Sequence, residues 1–273
     1  MINEINKIHC ENCLVTMGRM PKDFVDLTIT SPPYDDLRTY NGYSFDFETI
    51  AKELFRITKV GGVVVWVVGD ETTKGSESGT SFRQALYFKE IGFNLHDTMI
   101  YMKDNSPPVG GRNRYYQCFE YCFVLSKGVP STFNPIVEPR RNKWKDNRTV
   151  RVRALTRNKA GIFTKKTIAV NTGNVKLQNL WSYAVGGGSV AEEMIAHKHP
   201  AIFPEALVRD HMISWSNEND LVYDPLMGSG TTIKMAIAHN RRYIGSELSK
   251  EYFDIAIERL SIYNSKRQQL KII

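Results

Sequence analysis

The sequence predicts a doubly wound α/β fold with a mostly parallel sheet, interrupted by a basic insertion. Three observations carry this. Helical and strand patterns alternate over residues 1–125 and again over 189–265, the order that builds parallel sheets covered on both faces. Val63-Val64-Val65-Trp66-Val67-Val68 is apolar without interruption, as a strand buried on both faces requires. Between the two alternating stretches, residues 126–188 are polar, weakly periodic and rich in positive charge.

The first half opens with a short strand, Lys7 to Cys10, and a helical turn or two from Glu11 to Met17. Phe24 to Thr30 is β-branched and apolar, the mark of a buried strand. Ser31-Pro32-Pro33-Tyr34 stops it, because proline offers no N–H to a ladder and restricts the residue before it. A polar, aromatic loop follows from Asp35 to Ser44. Phe45 to Lys59 has helical spacing, with Gly61-Gly62 as the expected stop before the valine-rich strand. That strand closes on Asp70. Ser81 to Ile91 reads as a helix, and Phe93 to Met102 and Tyr115 to Leu125 as strands joined by a turn-rich loop.

The formal net charge is +7. Its source is local. Between Glu138 and Lys166 lie Arg140, Arg141, Lys143, Lys145, Arg148, Arg151, Arg153, Arg157, Lys159, Lys165 and Lys166, against only Glu138 and Asp146. The rest of the chain is close to neutral, so the basicity belongs to one segment. With Trp144 and Trp181 interleaved, the stretch 126–188 that contains it favours contact with a polyanion such as nucleic acid. No apolar run is long enough to span a bilayer, and the N-terminus lacks the apolar core of a signal peptide. A cytoplasmic protein is expected. Cys10, Cys13, Cys118 and Cys122 offer a Cys₄ set, but the strand-like setting of the second pair argues for small hydrophobes, and no metal site is expected.

The second half resumes with a helix from Glu205 to Trp215 and a strand from Leu221 to Asp224. A Gly-rich turn, Asp224-Pro225-Leu226-Met227-Gly228-Ser229-Gly230-Thr231-Thr232, leads into a helix from Gly230 to His239. Glycines there let the backbone turn sharply and approach a ligand, and N–H groups at the helix start favour a carboxylate or phosphate. The turn is not a phosphate-binding Walker loop, since no Gly-Lys-Ser/Thr follows, and it lacks the third glycine of the dinucleotide fingerprint. The next strand, Arg242 to Leu248, carries Glu247 near its end, where a ribose diol would need an acid. A long helix follows from Ser249 to Tyr263, and residues 266–273 read as a loose tail. The second half therefore reads as a site for an adenosine-type cofactor.

Together, Ser31 to Tyr34 and Asp224 to Thr232 resemble the catalytic and cofactor motifs of the S-adenosylmethionine-dependent, amino-directed DNA methyltransferases. Leu226 stands where that family usually has Phe. The catalytic motif comes first, the basic region second and the cofactor motif last, similar to the circularly permuted β group. His197-Lys198-His199-Pro200-Ala201-Ile202-Phe203-Pro204 resembles the segment ahead of the cofactor loop, and Tyr243 to Glu247, with Tyr252, Ala256 and Arg259, resembles the acidic-strand motif. The resemblance implies a Rossmann-like methyltransferase domain whose catalytic half is residues 1–125 and whose cofactor half is residues 189–265, with target recognition in 126–188.

It also implies roles. Ser31 and the carbonyl of Pro32 would accept hydrogen bonds from the exocyclic amine of a flipped base, Pro33 would stiffen the turn, and Tyr34 would stack on the ring. Phe203 and Pro204 would line the adenine pocket, and Glu247 would hold the ribose. Asp224, Pro225, Met227, Gly228, Ser229, Gly230, Thr231 and Thr232 would surround the methionine portion. Asp70 is a weaker candidate, and His197 and His199 read as structural or DNA-facing. Duplex DNA is the implied substrate. A homodimer and a cognate restriction endonuclease are the further partners that the resemblance raises. Serine at the head of the motif leans toward cytosine N4, with adenine N6 as the alternative. Transfer to RNA or protein amines is a more distant one.

Overall fold

A computed structural model of the chain describes residues 4–33, 45–106, 113–139, 149–157, 162–171, 174–186 and 190–270. It divides into two compact units, residues Met1–Asn134 with Asn179–Ile273, and Pro135–Gln178. The larger unit is built on one eight-stranded sheet. Its strands are β1 (Lys7–Cys10), β2 (Val25–Thr30), β3 (Thr58–Val68), β4 (Asn94–Lys103), β5 (Phe119–Ser126), β6 (Leu180–Tyr183), β7 (Leu221–Asp224) and β8 (Arg242–Glu247). They lie in the order β1-β8-β7-β2-β3-β5-β4-β6. Only β5 runs antiparallel to its neighbours; the other pairings are parallel.

Helices α1 (Cys13–Gly18), α2 (Phe47–Ile57) and α3 (Thr80–Glu90) cover one face, and α4 (Glu205–Trp215), α5 (Thr231–Ala238) and α6 (Lys250–Leu270) the other. The alternation of β3 shows why both layers are needed. Val64, Trp66 and Val68 pack with Met17, Leu54, Phe88 and Phe123. Val63, Val65 and Val67 point the other way and are as fully buried. Each such side chain contributes about 2 kcal/mol by leaving water. Trp66 keeps its one polar atom satisfied, donating to Gln84 Oε1 at 2.8 Å.

Several boundaries differ from those the sequence suggests. α2 ends at Ile57, and β3 begins at once, so Gly61 and Gly62 lie inside the strand rather than stopping the helix. Gly61 has φ +84°, and a Cβ on Gly62 would meet the carbonyl oxygen of Asp26 at 3.0 Å. The glycines let neighbouring chain approach a kinked strand. β5 begins at Phe119, leaving Tyr115 and Tyr116 exposed ahead of it. α6 runs on to Leu270 through most of the expected loose tail. Arg267 anchors it there, donating to Ile237 O at 2.8 Å and Asn240 Oδ1 at 3.1 Å.

The insertion is narrower than residues 126–188. Leu180–Tyr183 pairs in parallel with β4, and Trp181 is buried in the main unit. The smaller unit holds two antiparallel pairs, Thr149–Arg157 with Phe163–Asn171 and Val137–Pro139 with Asn174–Lys176.

Helix α4 carries a buried histidine. The His211 ring sits 4.8 Å from that of Trp181, and neither nitrogen has a hydrogen-bond partner among the described residues. Burial pushes its pKa down to about 3. The unfolded chain would take up this proton below about pH 6.5, so the stability that neutral His211 supplies is present above that pH and is lost as pH falls toward 3. His211→Phe should therefore gain on the natural protein by about 2–3 kcal/mol between pH 7.5 and 4.5. Urea midpoints at the two pH values check this; parallel shifts in both proteins would refute it.

Candidate active site

β7 connects through α5 to β8 on one side, and β2 through α2 to β3 on the other. The sheet therefore changes winding direction between β7 and β2, the place where open α/β sheets leave a crevice at their carboxyl ends. A cavity of about 1200 Å³ opens there. Ser31, Pro32 and Pro33 line it from the end of β2, and Asp224 to Ser229, Thr231 and Thr232 from the end of β7. Phe203, Pro204 and Glu247 complete the expected set. Gly230 is not on the wall; it lies behind, where a Cβ would meet Ala256 Cβ at 3.1 Å. Tyr34 falls outside the described residues.

One hydrogen bond ties the two motifs together. Thr30 Oγ1 donates to Asp224 Oδ1 at 2.8 Å, across 194 residues of sequence. The same oxygen accepts the N–H of Leu226 at 3.1 Å. Burial raises the Asp224 pKa to about 6, although hydrogen bonds from Thr232, Thr30 and Leu226 work the other way. At neutral pH it is a buried carboxylate on the cavity wall.

The turn itself is shaped by glycine. Gly228 has φ +50° and Gly230 φ +78°, conformations that side chains disfavour. Gly228 also has a packing reason, since a Cβ there would lie 2.9 Å from His199 Nε2. Its N–H donates to Glu247 Oε2 at 2.9 Å, while Ser249 N–H donates to Oε1 at 2.8 Å. The carboxylate keeps acceptor capacity for a ligand hydroxyl beyond these bonds. Burial raises the pKa of Glu247 as well. The wall thus combines an acid at the end of β8, a Gly-shaped turn and apolar Ile202, Phe203, Leu226 and Met227. That donor set suits a nucleoside with a charged tail.

The family model for DNA methylase of the N6/N4 type matches residues 25–258 of this chain. The chain belongs to that family. The orphan methyltransferase M.BamHII of Bacillus amyloliquefaciens is 57% identical over 241 residues, covering 88% of this chain and 89% of that protein. Type II methyltransferase M.BglII of Bacillus subtilis is 26% identical over 272 residues, covering 94% and 69%. Among solved structures, the cytosine-N4-specific PvuII DNA methyltransferase superposes with a TM-score of 0.67 at 20% identity, covering 94% and 91%. A DNA modification methylase structure from Thermus thermophilus, complexed with S-adenosyl-L-methionine, superposes at 0.62, with 20% identity and 94% of each chain covered.

In this methylase a buried charge cluster braces the Gly-rich turn; Arg259 belongs to the segment that resembles the acidic-strand motif, but its partners Glu193, Glu205 and Lys234 carried no sequence signal. Arg259, fully buried on α6, donates to Ser229 O at 3.0 Å and to Thr231 Oγ1 at 2.8 Å. Its other nitrogens reach Glu193 Oε2 at 3.2 Å and Glu205 Oε1 at 2.6 Å. Lys234, on α5, meets the same two carboxylates at 2.8 Å each. Burial alone would raise the pKa of Glu193, but the two cations hold it below the usual range. Glu205 follows Pro204 directly, so the cluster links the Phe203–Pro204 wall to the Ser229–Thr231 turn.

Other placements amend the sequence reading. His199 is part of the cavity wall, its ring 4.3 Å from that of Tyr252. It packs against Gly228, in keeping with the structural reading. Asp70 is a helix cap, accepting from Ser81 N–H at 2.9 Å and from the Ser78 and Ser81 hydroxyls. The β1–α1 corner, Glu11 to Leu14, also lines the cavity beside Glu247; β1 was legible, but its pairing with β8 was not. Arg151, Arg153 and Arg157 occupy the strand Thr149–Arg157 of the smaller unit. Arg140, Arg141, Lys143, Lys145 and Arg148 fall outside the described residues. No group of three or more potential metal-ligating side chains occurs among the described residues, and no described helix is long and apolar enough to cross a membrane.

Proposed function

We propose that this DNA methylase transfers a methyl group from S-adenosylmethionine to the N4 amine of a cytosine flipped out of duplex DNA. The observation that carries the reading is the shared cavity: Ser31 to Pro33 and the Asp224–Thr232 turn line one space, joined by the Thr30–Asp224 hydrogen bond. Glu247 would take the ribose hydroxyls, Phe203 the adenine, and Asp224 the ammonium end of the cofactor. Bound there, S-adenosylmethionine supplies an electrophilic methyl group. An amine on an aromatic ring is a weak nucleophile because its lone pair is delocalised. Hydrogen bonds accepted by the Ser31 hydroxyl and the Pro32 carbonyl favour a pyramidal nitrogen with that pair freed. Stacking by Tyr34 fixes the ring, and the rest of the rate comes from alignment.

Nucleoside analysis of DNA from cells expressing the enzyme tests this directly. N4-methylcytosine is expected. N6-methyladenine would overturn the base assignment, and methylation of RNA without methylation of duplex DNA would overturn the substrate. A relative named as an orphan methyltransferase favours action without a companion restriction endonuclease.

The basic segment supplies the DNA affinity in this reading. Replacing Arg151, Arg153 and Arg157 with Gln should reduce the slope of log K against log salt by about 2–3. Fluorescence anisotropy over a salt series measures this, and an unchanged slope would show that these residues do not meet phosphates.

A further inference from the structure

The cavity extends beyond the groups that the cofactor and the amine would occupy. Along the carboxyl edge of the sheet it runs past Ser31 toward β5 and β4, where Tyr101, Lys103 and Glu120 line it. Lys103 ends β4 and Glu120 stands near the start of β5; because these strands are antiparallel, both lie at the same edge as Ser31. Lys103 Nζ meets Glu120 Oε1 at 2.5 Å; the side chains are 26% and 16% exposed, and both residues line the cavity. The ammonium also lies 5.9 Å from the centre of the Tyr101 ring.

Holding the strands together does not require this pair. β4 and β5 already share a ladder from Asn94↔Ser126 to Met102↔Phe119, and a partly exposed ion pair adds little to that. The cofactor does not need it either, since Glu247 and the Gly turn stand on the opposite side of β2 in the sheet. Two strand spacings, about 10 Å, separate the strand of Ser31 from that of Glu120. One heterocycle with a side chain at each end fills such a gap.

The chemistry at the two ends is complementary. At Ser31 and Pro32 the cavity offers acceptors for an amine. A cytosine held there turns its remaining hydrogen-bonding atoms, the ring nitrogen N3 and the carbonyl oxygen O2, away from the acceptors. Both need donors. An ammonium has three, and Glu120 uses one. Resting on the proposed cytosine-N4 reading, we infer that Lys103, oriented by Glu120, donates to the O2 edge of the flipped cytosine. Lys103 is then a substrate-contacting residue and Glu120 a positioning residue. Adenine has no carbonyl to receive this donor, so the pair contributes to base choice as well as to binding.

The test uses the full-length enzyme, tritiated S-adenosylmethionine and a duplex containing the methylation site mapped for the natural protein. A second duplex carries a 2-aminopyridine C-nucleoside at the target, which keeps the amine and ring nitrogen but lacks the carbonyl. Lys103→Met should lower kcat/KM on the natural duplex about 10–100-fold, with cofactor affinity by calorimetry unchanged. Lys103→Arg should restore part of the loss, and Glu120→Gln should fall between the two. The natural enzyme should lose activity on the carbonyl-free duplex, whereas Lys103→Met should treat the two duplexes alike. Equal losses by natural enzyme and variant on the analogue, or a fully active Lys103→Met, would overturn the inference. Failure of the proposed function shows separately, as a natural enzyme that methylates no cytosine amine.

Discussion

Arg259→Met should lower the unfolding free energy by about 3–5 kcal/mol, since removing one member of a buried ion cluster strands its partners. The loss has two parts. Glu193 and Glu205 keep Lys234 but lose the guanidinium that shares them. The carbonyl of Ser229 and the hydroxyl of Thr231 lose a buried donor. The second part falls on the cofactor turn, so affinity for S-adenosylmethionine should fall along with stability. Arg259→Lys, which keeps the charge but not the fork, should be intermediate in both. Urea titration with and without cofactor separates the effects. A midpoint within experimental error of the natural protein would show that the cluster contributes nothing net.

Glu247→Gln should weaken S-adenosylmethionine binding by about 100-fold, or about 3 kcal/mol, the worth of one or two hydrogen bonds to a charged acceptor. The amide oxygen can accept from only one of Gly228 and Ser249 N–H, so the substitution costs one turn hydrogen bond as well as the ribose partner. Calorimetry gives the affinity directly, and an unchanged value would remove Glu247 from the site. A linked pH effect follows from burial, which raises the Asp224 pKa to about 6. A cationic cofactor binds the ionised carboxylate, so below about pH 6 a proton must leave on binding. Affinity should then fall by up to about tenfold per pH unit, and Asp224→Asn should be weaker with a shallower pH dependence, the remainder coming from Glu247.

Much of this arrangement is legible in the sequence where one physical cause acts alone. Val63 to Val68 can only be a strand covered on both faces. Proline after Ser31 can only end a strand, and Gly228 can only be a turn. The meeting of Ser31 with Asp224 in space is expected only from the family resemblance that the two motifs carry together. Legibility fails where several causes compete. Gly61 and Gly62 read as a helix stop because glycine disfavours helix, but close approach of Asp26 and Ser131 explains them inside a strand. Leu180 to Tyr183 is too short and too near the basic block to stand out, and β4 defines it. Arg259 stands in the segment that resembles the acidic-strand motif and Lys234 carries no signal at all; only the folded partners show that both are buried in one charge cluster. Asp70 is a weaker candidate by its place after a strand, and its hydrogen bonds go to Ser78 and Ser81 at the start of the next helix.

The sheet order also dictates a schedule. β2 leads into Ser31–Pro33 on the cavity wall but finds β7, its partner on one side, only after almost two hundred further residues have been made. A growing chain can pair β2 with β3, and β3 with β5, long before β7 exists. Until then one edge of β2 is an open row of N–H and C=O groups, a template for the wrong strand. Closing so long a loop is slow. A ribosome-bound chain therefore holds the Ser31–Pro33 turn before the Asp224–Thr232 turn exists, and the cavity wall is complete only when β7 and then β8, with Glu247, have docked.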